Sequence, residues 1–498
     1  MFGTWIPHTR YISTLLLKLV QYCFFDKGRV LQMEKSILKL IHLDLDKSLP
    51  ILKPLYSRTG CPSKEQTGII RSIVLMLDQG YSSITKWAEK VANDRLLYDL
   101  CGFVERAPAV SSYYDFIDRL WMSSKEQEIQ RKRKLRLIQS KPRKKLKKGK
   151  KLPPKHKGIT AKLVNKVIIG KLRKSRKEEI LQQFFSRLVV DTSAQLGLIG
   201  NPQALSLAGD GTAHYSGASH YGVKVCDCKS KGIYDCKCLR RYSDPDATWG
   251  WDSYRECFFF GDANYFFTAT EGLYDLPVYF RTVQAKRHDS STTIFALQEF
   301  RELFPKMSIK DVIFDGAMDN LPTYKLCRHW NIRPFIPLDD SSKLTTEGLP
   351  QGVIGFDDQG RPLCPGGIAY ANWGNCGDKG NKWRCWFAAD EQVSPCCCTS
   401  SSYGKTVYIK HEDNPRMFTP VPRSSDVFKK KLKQRSGSER TNKRIFEDYK
   451  VEDGKLRSSR TRSFRVVFAV INVHLDAWER HIEVSLENLI NSYSQQSA

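Results

Sequence analysis

Two short stretches of the sequence decide the fold class, ALSLAGDGT at residues 204–212 and DVIFDGAMDN at residues 311–320. Each is an apolar run, typical of a buried strand, that ends at an aspartate followed by glycine: Asp210 in the first and Asp315 in the second. A carboxylate at that place projects from the carboxyl-terminal edge of a sheet, where ligands and metal ions bind in open α/β folds. Strands and helices alternate between and after these stretches, so the sequence predicts an α/β fold.

The composition is that of a basic globular protein. The chain has 498 residues, enough for two to four domains of about 150 residues, and its hydrophobic content of 41% is too high for a disordered chain. Lys and Arg outnumber Asp and Glu by 80 to 53, and the resulting net charge of +27 favours a polyanion such as nucleic acid as the partner. The longest apolar run near the N-terminus, residues 12–25, is interrupted by Lys18 and Gln21 and is too short to span a bilayer. No signal-peptide cleavage site follows it, so we expect a cytoplasmic protein with no membrane partner.

Much of the positive charge lies in one segment. Residues 131–157 contain 15 Lys or Arg and no acid, together with three prolines and a glycine, which predicts a basic linker over residues 124–160. Such a segment binds phosphate backbones without reading bases, and the alternative is a solvated tether. The linker side chains that we expect to contact DNA are Arg131, Lys132, Arg133, Lys144 and Lys145.

The segment before the linker, residues 1–123, has an all-helical pattern. Apolar residues at helical spacing from Ile69 to Leu77 are followed by a break at residues 78–80. Candidate capping residues for two further helices come next: Ser82 or Ser83, then Asn93 or Asp94. Two helices around a short turn that contains glycine predict a DNA-binding helix-turn-helix, with plain helical packing as the alternative.

The part after the linker divides into three segments. Alternating strands and helices predict the first part of a core over residues 161–340. Residues 341–424 form an irregular insertion rich in Gly, Pro, Trp and Cys. Two helices are predicted over residues 425–498, near residues 425–449 and 461–489.

Three further predictions concern single helices, strands or loops of the first core segment. The aromatic stretch Cys257–Thr270 predicts a hairpin broken at Gly261. A helix near residues 288–304 is expected to have Asp289 or Ser290 as its cap. The tryptophans of a Gly-rich loop could stack on unpaired bases or pack in a small core; they are Trp249 and Trp251.

A third acid could complete a metal site with Asp210 and Asp315. Phosphoryl transfer uses two Mg²⁺ ions held about 3.5–4 Å apart by carboxylates from separate elements. Glu439 is the best candidate, because it stands alone among cations on a strongly basic helix. Each acid also has a plain alternative: an Asp before Gly is a common turn residue, and Glu439 could pair with Arg435 or Lys443 one turn away.

Fifteen cysteines occur in the chain, and many of them are bunched. Four lie within 13 positions and could hold one structural Zn²⁺: Cys226, Cys228, Cys236 and Cys238. Their paired C-x-C spacing is less usual for zinc than C-x₂₋₄-C, and the alternative is reduced thiols in a surface loop. A second, dispersed group lies in the insertion: Cys364, Cys376, Cys385, Cys396, Cys397 and Cys398.

Six motifs occur in an order that matches a known family: LAGDGT, SDPDATWGWDS, AKRHDS, FDGAMDNLPTYKLCRHWNIRPFIPL, FTPVPRSS and RSGSERTNKRIFEDY. Together they resemble bacterial insertion-sequence transposases of the DDE type, and residues 60–103 look like the helical N-terminal domain of those proteins. The resemblance covers roughly residues 50–121 and 185–480. It implies a ribonuclease-H-like core, in which a mixed sheet is flanked by helices and a Cys-rich insertion precedes the last catalytic helix.

The resemblance also assigns the site. The catalytic and metal-binding triad falls on Asp210, Asp315 and Glu439. Asp319 competes for the second position, and we prefer Asp315 because it directly ends the strand.

The chain has only part of the sequence signature that the family shows around the glutamate. Arg435 stands where the family has an arginine four residues earlier, whereas the related tyrosine and lysine fall on Leu432 and Phe446. The side chains of this region that we expect to contact DNA are Arg435, Arg440, Lys443 and Arg444.

The implied activity is that of a DNA transposase, an endonuclease and recombination enzyme encoded by a transposable element. Two Mg²⁺ ions, for which Mn²⁺ can substitute, support strand cleavage at the transposon end, and the freed 3′-hydroxyl then attacks target DNA. The expected partners are terminal inverted repeats and target DNA, bound by a homodimer at the bacterial nucleoid. The alternatives are a catalytically inactive DNA-binding protein derived from a transposase, and a nuclease that cleaves without strand transfer.

Overall fold

The computed structural model describes residues 1–63, 65–104, 106–121, 158–172, 178–238, 240–339, 349–389, 398–412 and 414–497. Most of the predicted basic linker lies outside these residues, and so do five of the predicted DNA contacts: Arg131, Lys132, Arg133, Lys144 and Lys145. In the described part of the chain, no helix combines the length and the apolar character needed to cross a bilayer.

The N-terminal residues are helical, as predicted. Their helices are α1 (His8–Gln32), α2 (Glu34–His42), α3 (Leu49–Leu52), α4 (Gln66–Asp78), α5 (Ile84–Asn93), α6 (Arg95–Cys101) and α7 (Val110–Trp121). Two predicted caps are confirmed, because Ser83 Oγ accepts from the N–H of Lys86 at 3.3 Å and Asp94 Oδ1 accepts from that of Leu97 at 3.2 Å. Helix α4 is buried on every side.

A mixed sheet forms the centre of the molecule. It is preceded by α8 (Ile159–Ile168), α9 (Glu179–Phe185) and α10 (Asp191–Gln195). The strands of this part of the chain are β1 (Leu205–Tyr215), β2 (Val223–Lys224), β3 (Arg240–Arg241), β4 (Thr248–Asp252), β5 (Cys257–Ala269), β6 (Leu276–Gln284), β7 (Ile309–Ile313) and β8 (Arg333–Phe335). All of these except β2 and β3 belong to the sheet, so the prediction of an α/β fold with a mixed sheet is confirmed.

The sheet has an antiparallel half and a parallel half that meet at β1. Strand β5 pairs antiparallel with β1, β4 and β6, whereas β7 pairs parallel with β1 and β8. The predicted hairpin at Gly261 is wrong, because β5 continues through this residue. A Cβ at Gly261 would collide with the carbonyl oxygen of His214 on β1, so glycine here serves the close approach of two strands and not a turn.

The remaining helices cover the sheet and close the chain. They are α11 (Asp289–Leu303), α12 (Leu321–His329), α13 (Trp386–Ala389), α14 (Asp426–Lys433), α15 (Ser436–Lys443), α16 (Ser459–Ile482) and α17 (Leu486–Ser497). The helix predicted near residues 425–449 is therefore divided between α14 and α15, and the second C-terminal helix ends earlier than predicted, where Glu483 adopts a left-handed conformation with φ 47°.

The insertion contains regular structure that its sequence does not reveal. Its strands are β9 (Gly355–Phe356), β10 (Pro362–Leu363), β11 (Tyr370–Asn375), β12 (Asn381–Cys385) and β13 (Thr406–Ile409), the last three of which form an antiparallel sheet. This sheet has a small apolar core of its own that includes Tyr370, Trp383 and Phe418.

A single hydrophobic core joins the N-terminal helices to the sheet. Helix α16 lies at its centre, packed against β6 on one side and against α2, α4 and α7 on the other. Polar contacts follow the same arrangement: Asn472 Nδ2 donates to the carbonyl of Val74 in α4 at 3.1 Å, and His474 Nε2 lies 2.8 Å from the carbonyl of Pro277 in β6.

A buried ion triad fixes α16 to the sheet. Arg462 is fully buried and donates from Nη1 to Asp244 at 2.7 Å and from Nε to Asp262 of β5 at 2.9 Å. Burial raises the pKa of Asp262, and the charge of Arg462 acts in the opposite direction. The guanidinium of Arg462 is therefore the cation that compensates the negative charges of both carboxylates.

Replacing Arg462 by Met leaves both carboxylates buried without their cation, so we expect R462M to lose about 3–5 kcal/mol of unfolding free energy. The control R187M removes an exposed arginine from a helical ion pair with Asp191 and should cost less than about 1 kcal/mol. Urea unfolding followed by circular dichroism measures both losses. Equal losses in the two variants would contradict the role of the buried triad.

Candidate functional site

The register of the central strands brings two of the predicted acids together. Strands β1 and β7 run parallel, and their last paired residues are Ala208 and Ile313. Asp210 and Asp315 each lie two residues further along, so the two side chains leave neighbouring strands at the same level and toward the same face. The charge of Asp315 contributes to raising the pKa of Asp210, as expected for carboxylates in one site.

The third predicted acid lies on the helix that packs against this face. Asn442 of α15 donates from Nδ2 to Asp210 Oδ2 at 2.9 Å, and Glu439 precedes it by one turn on the same helix. Glu439 is 53% exposed and accepts from Arg435 Nη2 at 2.6 Å. The pairing of Glu439 with Arg435 matches the plain alternative considered above. The charge of Arg435 also lowers the pKa of Asp210, so Arg435 interacts both with Glu439 and with one of the two aspartates.

Asp319, the competitor of Asp315, is occupied elsewhere. Its side chain has no exposed surface and accepts two hydrogen bonds from Arg416, at 2.7 and 3.1 Å, and one from the hydroxyl of Tyr324 at 2.9 Å. Arg416 lies at the end of the insertion, so Asp319 anchors the insertion to the core. Asp315 is the partly exposed member of the two.

A further acid, Asp289, belongs to the cluster and was missed by the sequence reasoning, which treated it as a helix cap. The cap of α11 is His288, whose Nδ1 accepts from the N–H of Ser290 at 3.2 Å. Asp289 is left in the first turn, with its carboxylate directly over Gly211, where a Cβ would come within 2.7 Å of Oδ1. Asp289 lies five residues beyond the end of β6 and at the start of a helix, so its position in the sequence looks like that of a cap and does not indicate the site.

The three aspartates repel one another in a partly buried site. Burial, followed by the charges of Asp289 and Asp315, raises the pKa of Asp210 to about 7, although Arg435 acts in the opposite direction. Burial and the charge of Asp315 raise the pKa of Asp289 to about 6. Clustered carboxylates with raised pKa values are typical of functional sites, because a bound cation or proton relieves the repulsion.

An open cleft of about 660 Å³ lies above this cluster. Asp289 and Asp315 line it together with the cations Lys286 and Arg287. Four aromatic side chains with exposed surface form another wall: Trp249, Trp251, Tyr254 and Phe258. The cleft therefore combines acids, cations and exposed rings, which are the groups that contact metal ions, phosphates and unstacked bases, respectively.

The predicted DNA contacts near Glu439 are mostly held in ion pairs. Arg440 pairs with Asp275 at 2.7 Å, and Arg444 pairs with Asp476 at 3.0 Å. Lys443 is 69% exposed, with Glu447 at 3.9 Å. The assignment of these residues to DNA stays a prediction.

The first cysteine cluster is brought together by the fold. The Sγ atoms of Cys226 and Cys236 lie 3.5 Å apart, as do those of Cys228 and Cys238, and all four lie within 4.8 Å of one another. These four thiols could hold a metal ion. In the second group, Cys364 and Cys385 are buried in the insertion and Cys376 is exposed, whereas Cys396 and Cys397 lie outside the described residues.

No family model matches the chain, and neither a curated protein nor a solved structure is similar to it.

Proposed function

We propose that this chain is a metal-dependent DNA transposase with a ribonuclease-H-like core. The observation that carries the proposal is the group of three charge-coupled aspartates, Asp210, Asp289 and Asp315, at the carboxyl-terminal edge of the parallel strands. The cleft above them is wide and open, and its walls carry cations and exposed aromatic rings. Such a site suits a long, flexible polyanion better than a small enclosed ligand.

The fold supports the proposal. The core implied by the resemblance is a mixed sheet flanked by helices, with acids at strand ends and a third acid on a packed helix. Here Asp210 lies in β1 just beyond the pairing with β7, and Asp315 follows the end of β7. Helix α15 carries Glu439 one turn before Asn442, which contacts Asp210. The insertion stands before α15, as the motif order predicts.

The residues of the site fit Mg²⁺. All candidate ligands are oxygen atoms, which Mg²⁺ prefers. Besides the carboxylates, Asn442 Oδ1 is buried beside Asp210 and has no hydrogen-bond partner among the described residues. In the described part of the chain, the four thiols are grouped closely enough to hold a metal ion, whereas the carboxylates of this site do not form such a group. Asp210, Asp315 and Glu439 would hold the ions, with Asp289 as a further ligand.

When bound, the metal ions supply charge stabilisation and activation of the attacking oxygen. The chain's own residues prepare the site. Asn442 fixes Oδ2 of Asp210, and Arg435 holds Glu439 toward the same face. Lys286 and Arg287 lie where they can neutralise a backbone phosphate at the cleft, and Trp249 can stack on a base freed from its pair. Two copies acting on paired transposon ends belong to the same proposal.

One observation favours a second candidate function. Glu439 is already paired with Arg435 and half exposed, as in a DNA-binding protein whose cleavage activity has been lost. A nuclease without strand transfer would use the same site. Assays of cleavage and of joining, on the DNA that flanks the gene, separate these three functions.

The Glu439→Gln variant tests the catalytic assignment. We expect it to reduce Mg²⁺-dependent cleavage and strand transfer by at least about 100-fold, because a neutral amide binds Mg²⁺ weakly. DNA affinity measured by gel shift should remain. The matched control is E447Q, which removes an exposed acid about two turns further along the same helical segment. Wild-type cleavage by E439Q would contradict the assignment, and tight binding without cleavage by the unaltered chain would favour the inactive DNA-binding protein.

Metal affinity should depend on pH. Asp210 and Asp289, with pKa values of about 7 and 6, are partly protonated below neutrality and must lose these protons to bind a cation. Affinity for Mn²⁺ should therefore rise between pH 6 and pH 8, by up to about tenfold per pH unit for each proton displaced. Calorimetry in buffers of different ionisation enthalpy measures both affinity and proton release. An affinity that is constant over this range would contradict the coupling.

Asp289→Asn should change stability and metal affinity in opposite directions. A carboxyl whose pKa in the folded chain is raised binds more protons folded than unfolded, so its contribution to stability falls as the pH rises from about 4 to about 6. We expect D289N to raise the unfolding free energy by about 1–2 kcal/mol at pH 8, with little effect at pH 4, and to weaken Mn²⁺ binding. Thermal unfolding at both pH values measures the first effect. A variant destabilised at pH 8 would show that Asp289 makes a structural contact instead.

A further inference from the structure

The segment that carries the first cysteine cluster is a small projecting loop, called here the thiol loop (residues 223–241). Strands β2 and β3 close its base with two residue pairs. At its tip the N–H of Ile233 donates to the carbonyl of Cys228 at 2.8 Å. Cys226 and Cys228 lie on one arm, and Cys236 and Cys238 lie on the other.

The described residues of the thiol loop form no apolar core that could hold it together. The larger apolar side chains among them, Val223, Val225, Ile233 and Tyr234, are all about half exposed or more. A two-stranded hairpin of this size is marginally stable at best in water. A cross-link between the arms would supply the missing stability.

The positions of the four sulfur atoms identify the kind of cross-link. A Zn²⁺ ion with tetrahedral thiolate ligands at about 2.3 Å requires sulfur atoms about 3.8 Å apart. The two measured separations across the arms are 3.5 Å, and all four atoms lie within 4.8 Å of one another. Disulfides would require about 2.05 Å and would leave two separate bonds instead of one four-atom cluster.

We propose that Cys226, Cys228, Cys236 and Cys238 bind one Zn²⁺ and that this ion folds the thiol loop. Binding converts the four thiols to thiolates and releases their protons to solvent, so that the site carries a charge of −2. The loop carries two acids, Asp227 and Asp235, and six cations, so its side chains supply a net charge of +4 that compensates the charge of the site. The cations are Lys224, Lys229, Lys231, Lys237, Arg240 and Arg241.

The loop is attached to a wall of the cleft. Just before its base, the ring of His220 packs edge-on against Trp249 at 4.8 Å between ring centres. Arg240 Nη1 donates to the carbonyl of Tyr221 at 3.1 Å and fixes the second arm to the same point. A metal ion that folds the loop therefore also holds the surroundings of Trp249, one of the residues lining the cleft.

Zinc content tests the site directly. Full-length protein, purified and dialysed without added metal, should contain one zinc per chain when its metal content is measured by inductively coupled plasma mass spectrometry. Protein that has lost its zinc should take up one equivalent when Zn²⁺ is titrated. Cys236→Ser should lose this zinc, and Cys61→Ser, which changes an exposed cysteine elsewhere, should keep it. Equal zinc in the two variants, no uptake of Zn²⁺ by the unaltered chain, or disulfides between the two arms would each overturn the proposal.

Limited digestion with trypsin tests the folding role. The tip lysines Lys229 and Lys231 should be cut about tenfold faster or more in C236S than in C61S. Cobalt substitution gives an independent signature, since Co²⁺ in a tetrahedral thiolate site absorbs visible light strongly. Equal cutting rates in the two variants would show that the ion does not fold the loop. Neither measurement uses DNA or Mg²⁺, so both are independent of the proposed transposase activity.

Discussion

The parallel pairing of β1 with β7 is the constraint on which the site depends. The two strands are paired as far as Ala208 and Ile313, and the next residues whose side chains point the same way are Asp210 and Asp315. β1 then continues to Tyr215, because β5 pairs with it along its second half. β7 has no such support and ends, so the chain turns away after Asp315. The same difference in strand length that exposes Asp315 therefore opens the cleft above it.

The site is built at a cost to the folded state. Three aspartates share a partly buried region, and burial with mutual repulsion raises the pKa of two of them. Their compensation is incomplete: Asn442 gives Asp210 one hydrogen bond, and Arg435 gives a nearby charge that Glu439 already shares. Asp319, by contrast, is compensated by two hydrogen bonds from Arg416. The contrast between compensated and uncompensated acids distinguishes a candidate site from the supporting structure.

Part of this site could be predicted from the sequence. An apolar run that ends in Asp-Gly predicted a strand end twice. The prediction is confirmed for Asp315, which follows the end of β7. It is wrong for Asp210, which lies inside β1 just beyond the point where the pairing with β7 ends. Asp289 could not be recognised in this way, because a residue that begins a helix also looks like a cap, and only the fold shows that its carboxylate lies over Gly211. Asp315 was preferred to Asp319 because it directly ends the strand, and the fold adds that Asp319 is paired with Arg416, which is 97 positions away in the chain. The continuity of β5 through Gly261 likewise depends on a neighbouring strand and not on local sequence.

The cations of α14 and α15 also have different roles, although they look alike in sequence. Lys431 is nearly buried and bonds to Asp311 at 3.1 Å and Ser206 at 2.8 Å, both at the start of the parallel strands. Arg440 and Arg444 pair with acids on other elements of the core. These cations therefore fix the two helices against the core and so place Asn442 beside Asp210. The charge left to attract phosphate on this face lies on the exposed lysines, which are Lys429, Lys430, Lys433 and Lys443. A net charge of +27 thus overstates the charge available to a nucleic acid, because part of it holds the site in position.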